Sequence, residues 1–217
     1  KAQGATAYNE RDRFYYDNTM AEMGRHFEAG RQPLFTFVQT MSAHWPYDVT
    51  FAPEETVAGG GPGTHPEMHE YLRRVSLAKR DYDHLIAEIK RRLPNERVLV
   101  VQYGDHHPMS TRVLLGFNED TEAEDVALDP NSAGFITYYA INGHNYQVPA
   151  LPQQDALDVP YLGSVILQAA GLPLSESHRE RMRLLALCKG RYYTCDKRDE
   201  ILGFHRRLID SGIMAAR

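Results

Sequence analysis

The chain has 217 residues, of which 42% are hydrophobic and 24% are charged, and its formal net charge is −5. This length suits a single domain with a sizeable core. The negative charge argues against a nucleic-acid partner, because phosphate binding requires a basic face. No apolar run approaches the ~18 residues that cross a bilayer, so the sequence predicts a soluble piece of a globular protein.

The first part of the chain predicts a helix, a strand and a loop. Asp17 suits the N-cap of a helix that runs to Glu28 and stops at Gly30. The segment Leu34–Thr40 has the composition of a strand. Met41–Tyr47, which contains a histidine and a proline among aromatic residues, then leaves the carboxyl end of that strand as a loop.

The longest predicted element is a helix from Glu67 to Leu93. Its apolar residues recur at three- and four-residue steps and form one stripe: Met68, Tyr71, Leu72, Val75, Ala78, Tyr82, Leu85, Ile86 and Ile89. A buried strand, Val98–Val101, follows directly. Because strand, helix and strand succeed one another, we expect a right-handed parallel crossover. His44 and Asp105 should then emerge at the same edge of the sheet.

The remaining elements alternate between predicted strands and helices. Asp158 suits the N-cap of a helix that runs through Ala170, and Ser177 and Glu180 form a capping box for the next helix. The other predictions are strands at Arg112–Phe117 and Phe135–Ile141, an acidic loop at Glu119–Asp129, a flexible connection at Ala58–Pro66 and a last helix at Asp196–Ser211.

The polar residues after the second predicted strand carry the strongest chemical signal. Asp105, His106 and His107 follow Gly104 in succession, and ligands gather at the carboxyl ends of strands in open α/β sheets. A carboxylate and an imidazole are common ligands of divalent cations. His44, in its own loop, can donate a hydrogen bond to a phosphate or sulfate oxygen. The sequence therefore predicts a metal and oxyanion site.

Two further features stay open at the level of sequence. His65 and His69 flank the glycine-rich connection, where they can approach a substrate or simply be solvated. Cys188 and Cys195 lie seven positions apart. They are either two reduced thiols or a small disulfide loop in an oxidising compartment.

Four features in this order resemble the sulfatase-like branch of the alkaline phosphatase superfamily. They are Phe35–Tyr47, the helix with Tyr71 through Asp83, the Gly104–His106 strand end, and Asp158 through Leu172. The likeness covers roughly residues 10 to 172. It is closest to lipoteichoic acid synthases, phosphoglycerol transferases and phosphoethanolamine transferases.

The resemblance implies a fold, a site and a cofactor. The fold is α/β, with three α/β/α layers and a mostly parallel sheet. Asp105 and His106 match two metal ligands. His44 matches the histidine that contacts the phosphoryl or sulfuryl group. His107 and His65 are candidates for hydrogen bonds to the metal ligands or for substrate contact. The implied cofactor is one divalent ion, Mn²⁺ or Zn²⁺ first, with Mg²⁺ or Ca²⁺ as alternatives.

The family's early acidic ligand and its Thr or Ser nucleophile match no position of this sequence. We therefore expect residues 1–217 to be the carboxyl-terminal part of one catalytic domain and to be inactive alone. The full protein would act on phospholipid or glycan head groups at the periplasmic face of a bacterial inner membrane, anchored by a preceding region, which fits a Cys188–Cys195 disulfide. The oligomeric state stays open. The alternatives are a sulfate ester hydrolase and a non-catalytic, degenerate binding module.

Overall fold

The computed structural model describes residues 10–30, 32–55, 66–108, 111 and 133–215. The chain divides into two compact units. Residues within Lys1–Glu96 and His107–Val126 form the first unit, and residues within Arg97–His106 and Ala127–Arg217 form the second. Each unit has its own buried residues. Those of the first unit include several charged side chains, and those of the second unit are mainly apolar.

Helix α1 spans Asp12–Ala29 and ends at Gly30, as predicted, but it begins five residues before the predicted Asp17. The reason lies far away in the sequence. The backbone N–H of Arg13, in the first turn, donates to Oδ2 of Asp81 at 3.1 Å. Asp81 thus satisfies one of the N–H groups that a helix start leaves unpaired, and the local sequence gives no sign of that partner.

Helix α2 spans Pro66–Arg92, within one residue of the predicted bounds. It packs on α1. Its buried face differs from the predicted stripe, since Val75 is 40% exposed. The residues that are buried combine four apolar and three charged side chains: Met68, Leu77, Leu85 and Ile89 with Glu70, Arg74 and Asp81.

The predicted strand Leu34–Thr40 is not a strand in the structure. Phe35 and Phe37 are 86% and 65% exposed, and no backbone hydrogen bond joins this segment to a strand within the described residues. A β-strand requires a hydrogen-bonded neighbour, and composition alone does not supply one. The predicted parallel crossover from this segment is therefore wrong.

The second unit contains strand β1, Val98–Tyr103, and strand β2, Tyr139–His144. They pair antiparallel, with Val98 opposite His144 and Tyr103 opposite Tyr139. The strand predicted at Phe135–Ile141 begins later because a 3₁₀ turn occupies Ala133–Phe135. The described strands thus form a two-stranded antiparallel sheet, where a mostly parallel three-layer sheet was expected.

Three helices complete the second unit: α3 at Val159–Ala169, α4 at Glu176–Leu187 and α5 at Arg198–Asp210. All three predicted helices are confirmed, although α4 is capped by Ser175, which accepts from His178 N–H, and not by Ser177. The core between them is apolar, with Tyr161, Val165, Leu184, Leu185, Cys188, Ile201, Phe204 and Leu208. Cys188 and Cys195 form a disulfide, with their Cα atoms 5.2 Å apart.

Several predictions fall outside the described residues. They are the strand at Arg112–Phe117, the acidic loop at Glu119–Asp129, and all of the glycine-rich connection except Pro66. Within the described ranges, no helix has the length and apolar character required to cross a bilayer.

Candidate functional site

His44 lies in the first unit, on the loop Met41–Tyr47, called here the His44 loop. The loop closes on itself: His44 N–H donates to the carbonyl of Met41 at 3.0 Å, and the Tyr47 hydroxyl donates to the carbonyl of Ala43 at 2.9 Å. The Trp45–Pro46 peptide bond is cis. The two hydrogen bonds hold the backbone of this loop, while the His44 side chain is exposed.

The His44 imidazole has a defined orientation. Its Nδ1 contacts the carbonyl oxygen of Trp45. A carbonyl oxygen only accepts, so Nδ1 carries the proton, and in the neutral ring Nε2 is then an acceptor. Donation from Nε2 to a phosphoryl or sulfuryl oxygen therefore requires the imidazolium form.

A buried arginine on α2 holds the His44 loop. Arg74 is 1% exposed, and its guanidinium lies over the Phe51 ring at 4.0 Å and the Tyr47 ring at 5.2 Å. It donates to four backbone carbonyls, those of Ser42 at 3.3 Å, His44 at 3.4 Å, Pro46 at 3.1 Å and Val49 at 2.6 Å. One side chain thus fixes both ends and the middle of the loop.

Two buried carboxylates complete this arrangement. Glu70 Oε1 accepts from Arg74 Nε and from Phe51 N–H, both at 2.9 Å, so the buried guanidinium charge is compensated. Asp12 Oδ1 accepts from Ser42 N–H at 3.4 Å. Burial raises the pKa of the Asp12 carboxyl, and the contact with Ser42 opposes that shift.

Sequence reasoning missed Arg74, Glu70 and Asp12. Glu70 and Arg74 are spaced i, i+4, and Asp81 follows one heptad after Arg74, so the three lie along one side of α2. That row of charges could have indicated a buried charged cluster, but a solvated helix face shows the same pattern. Only burial distinguishes the two cases.

Asp105 and His106 lie in the second unit, directly after β1. Gly104 extends the pairing beyond the strand: its N–H donates to Tyr138 O at 3.1 Å, and its carbonyl accepts from Thr137 Oγ1 at 2.7 Å. The chain then leaves the sheet, and the side chains of Asp105 and His106 are 78% and 68% exposed. The predicted position of this pair at a strand end is therefore what the structure has.

The pair fits two ligands of one cation. Asp105 Oδ1 accepts from His106 N–H at 2.9 Å, while Oδ2 lies 3.6 Å from His106 Nε2. Two ligands bound tetrahedrally at ~2.0–2.2 Å are roughly 3.3–3.6 Å apart, so the separation is compatible with a shared cation as well as with an ion pair. No group of three or more such side chains with metal-binding geometry occurs among the described residues.

The convergence of His44 with Asp105 and His106 stays a prediction, because the His44 loop and the pair belong to different units. His107 is partly buried and falls in the first unit. His65 lies outside the described residues. Cys188 and Cys195 are joined in the second unit.

Comparison with known families identifies the class of protein. The sulfatase family model matches residues 1–161, which is most of the 217-residue chain. The chain therefore belongs to the sulfatase family. Comparison with curated proteins and with solved structures gave no significant match. Membership supports hydrolysis or group transfer as the class of activity, an alkaline-phosphatase-like α/β fold, and metal dependence, which is general in the family.

Proposed function

We propose that this chain is the carboxyl-terminal part of a metal-dependent enzyme that transfers phospho-head-groups or hydrolyses phosphodiesters. The observation that carries the proposal is the Asp105–His106 pair. It follows a strand end, is exposed to solvent and spaces its Oδ2 and Nε2 atoms 3.6 Å apart. That separation is compatible with two ligands of one cation.

Each candidate residue has a distinct part in this proposal. Asp105 and His106 would hold the cation, which would lower the pKa of a hydroxyl nucleophile and neutralise charge on the transferring group. His44, as the imidazolium, donates to an oxygen of that group. Arg74 keeps the backbone of the His44 loop in place, so that the imidazole is presented without a large entropic cost.

The finer features of the proposal come from the resemblance. A Thr or Ser nucleophile and an early acidic ligand would come from a preceding part of the protein. The substrate would be a phospholipid or glycan head group at the periplasmic membrane face.

Metal binding by the chain can be tested without turnover. In Mn²⁺ titrations followed by imidazole NMR signals, His106 should broaden first, and Asp105→Asn and His106→Gln should each weaken Mn²⁺ binding about tenfold or more. The matched control is Asp155→Asn, an exposed carboxylate of the same unit, which should bind Mn²⁺ unchanged. Equal affinity in all three variants would reject the assigned ligands.

Turnover distinguishes the candidate functions. The chain alone should not hydrolyse bis(p-nitrophenyl) phosphate or p-nitrophenyl sulfate with Mn²⁺ or Zn²⁺. Metal-dependent hydrolysis abolished by Asp105→Ala would mean that the nucleophile lies within these residues, and preference for the sulfate ester would favour a sulfatase. Phosphate binding that is indifferent to metal would favour a non-catalytic module, an alternative consistent with the lack of a third ligand in the described ranges.

A further inference from the structure

A cavity lies among the helices of the second unit, and its lining includes none of the residues assigned above. Its volume is about 520 Å³, within the range of small-molecule sites. Helices α3, α4 and α5 and the segment at Tyr192 and Tyr193 surround it. All of its lining residues except Pro160 lie beyond the part of the chain that the family model matches.

The lining combines an apolar wall with a polar group of side chains. The wall consists of Pro160, Phe204, Leu208 and Met214, and the polar side consists of Ser164, His178, Arg181, Tyr192, Tyr193 and His205. Tyr193 is 63% exposed and Met214 is 37% exposed, so the cavity opens at this rim. A ligand with one apolar and one polar end matches such a lining.

Arg181 gives the cavity an uncompensated positive charge. Its guanidinium lies over the Phe204 ring at 5.4 Å, and it forms no ion pair with any carboxylate of the described residues. The neighbouring Arg183 on α4 pairs with both Glu180 and Glu200. Burial lowers the pKa of His178, and the positive charge of Arg181 lowers it further, so the field of Arg181 reaches the polar side of the cavity.

The histidines are fixed in place by hydrogen bonds to their neighbours. His178 Nδ1 lies 2.9 Å from the hydroxyl oxygen of Ser164, which is fully buried. His205 Nε2 is hydrogen-bonded to the Tyr192 hydroxyl. Both rings are therefore oriented before any ligand arrives, which reduces the entropic cost of binding.

We propose that this cavity binds a small organic oxyanion: a phosphate or carboxylate group joined to an apolar body, with the anionic group on Arg181 and the body against Phe204 and Leu208. A half-buried guanidinium without a carboxylate is the complement of such an anion. The proposal is independent of the metal site, because it uses none of its residues.

The test uses the whole chain in the presence of EDTA, so that metal-mediated phosphate binding is removed. Phenyl phosphate should bind saturably, with NMR shifts at His178, His205 and Tyr193. Inorganic phosphate, which lacks the body, and benzyl alcohol, which lacks the charge, should each bind at least tenfold more weakly. Equal affinity for inorganic phosphate would overturn the assigned apolar contact.

The charge is tested by substitution. Arg181→Gln should weaken phenyl phosphate binding at least tenfold and Arg181→Lys less, while Arg206→Gln, on an exposed position of α5, should not change it. Phenyl phosphate binding that is unchanged in Arg181→Gln, or shifts mapping outside the cavity, would overturn the proposal. Shift mapping on the unaltered chain gives this answer even if Arg181→Gln fails to fold.

Discussion

The two units of this chain are stabilised in different ways. In the first unit the buried residues include Asp12, Glu70, Arg74 and Asp81, whereas among the described residues of the second unit the buried polar residue is Ser164. The second unit instead relies on an apolar core and the Cys188–Cys195 disulfide. Buried charges can hold a loop in one position, but removing one partner leaves the other charge buried and uncompensated. An apolar core tolerates substitution by other apolar side chains of similar volume better.

The largest effect on stability is expected when the buried guanidinium of Arg74 is removed. Arg74→Met should lower the free energy of unfolding by about 3–5 kcal/mol, because Glu70 is left buried without its partner. Urea unfolding followed by fluorescence of Trp45, the one tryptophan of the chain, reports on the His44 loop itself. Arg92→Met, at an exposed arginine on the same helix, should change stability by less than about 0.5 kcal/mol. An equal loss of stability in Arg74→Met and Arg92→Met would show that burial of the charge does not set its contribution to stability.

In the second unit the corresponding change is loss of the disulfide. The cysteines are seven residues apart, and closing a loop of that length stabilises by about 2–3 kcal/mol in the chain-entropy estimate. Urea unfolding of Cys188→Ser/Cys195→Ser should show this loss. The unaltered chain with reductant should match the double variant, and a stability that reductant leaves unchanged would contradict the disulfide.

Two tyrosines of the second unit differ in whether the hydroxyl has a hydrogen-bond partner. The Tyr161 hydroxyl is buried without a hydrogen-bond partner in the described structure, and burial raises its pKa to about 12. Tyr161→Phe should therefore be neutral or stabilise by about 1 kcal/mol. Tyr192→Phe, which loses the hydrogen bond to His205, should destabilise by about 1 kcal/mol. Thermal unfolding of both variants gives the comparison, and the reverse order would refute it.

The smallest effect concerns pH and Asp12. Burial raises the pKa of this carboxyl, so the folded state holds the proton more tightly than the unfolded state and loses stability as the pH rises through the folded pKa. Asp12→Asn should then be more stable than the unaltered chain at pH 7, and this advantage should vanish below about pH 4. Urea midpoints at both pH values measure it. Asp48→Asn, at an exposed position, should show no such change, and a pH-independent difference for Asp12→Asn would contradict the assignment.

The position of the Asp105–His106 pair at a strand end was predictable because its signal is local. Asp105 and His106 follow an apolar, β-branched run and a glycine, and the structure has β1 ending at Tyr103 with the pair exposed beyond it. The role of Arg74 was not predictable. Its four carbonyl partners lie 25 to 32 residues away, and no pattern within α2 identifies them.

The bounds of α2 and the existence of β1, α3, α4 and α5 follow from local sequence, because hydrophobic periodicity, prolines and cap residues act within a few positions. Three other features depend on contacts between residues that are distant in the sequence. Helix α1 begins at Asp12, where Asp81 accepts from a backbone N–H of the first turn. Strand β2 pairs antiparallel with β1, and Leu34–Thr40 forms no strand. In each case the deciding partner, a carboxylate or a neighbouring strand, is distant in the sequence, and hydrogen bonds and buried charges depend on that partner more than on local composition.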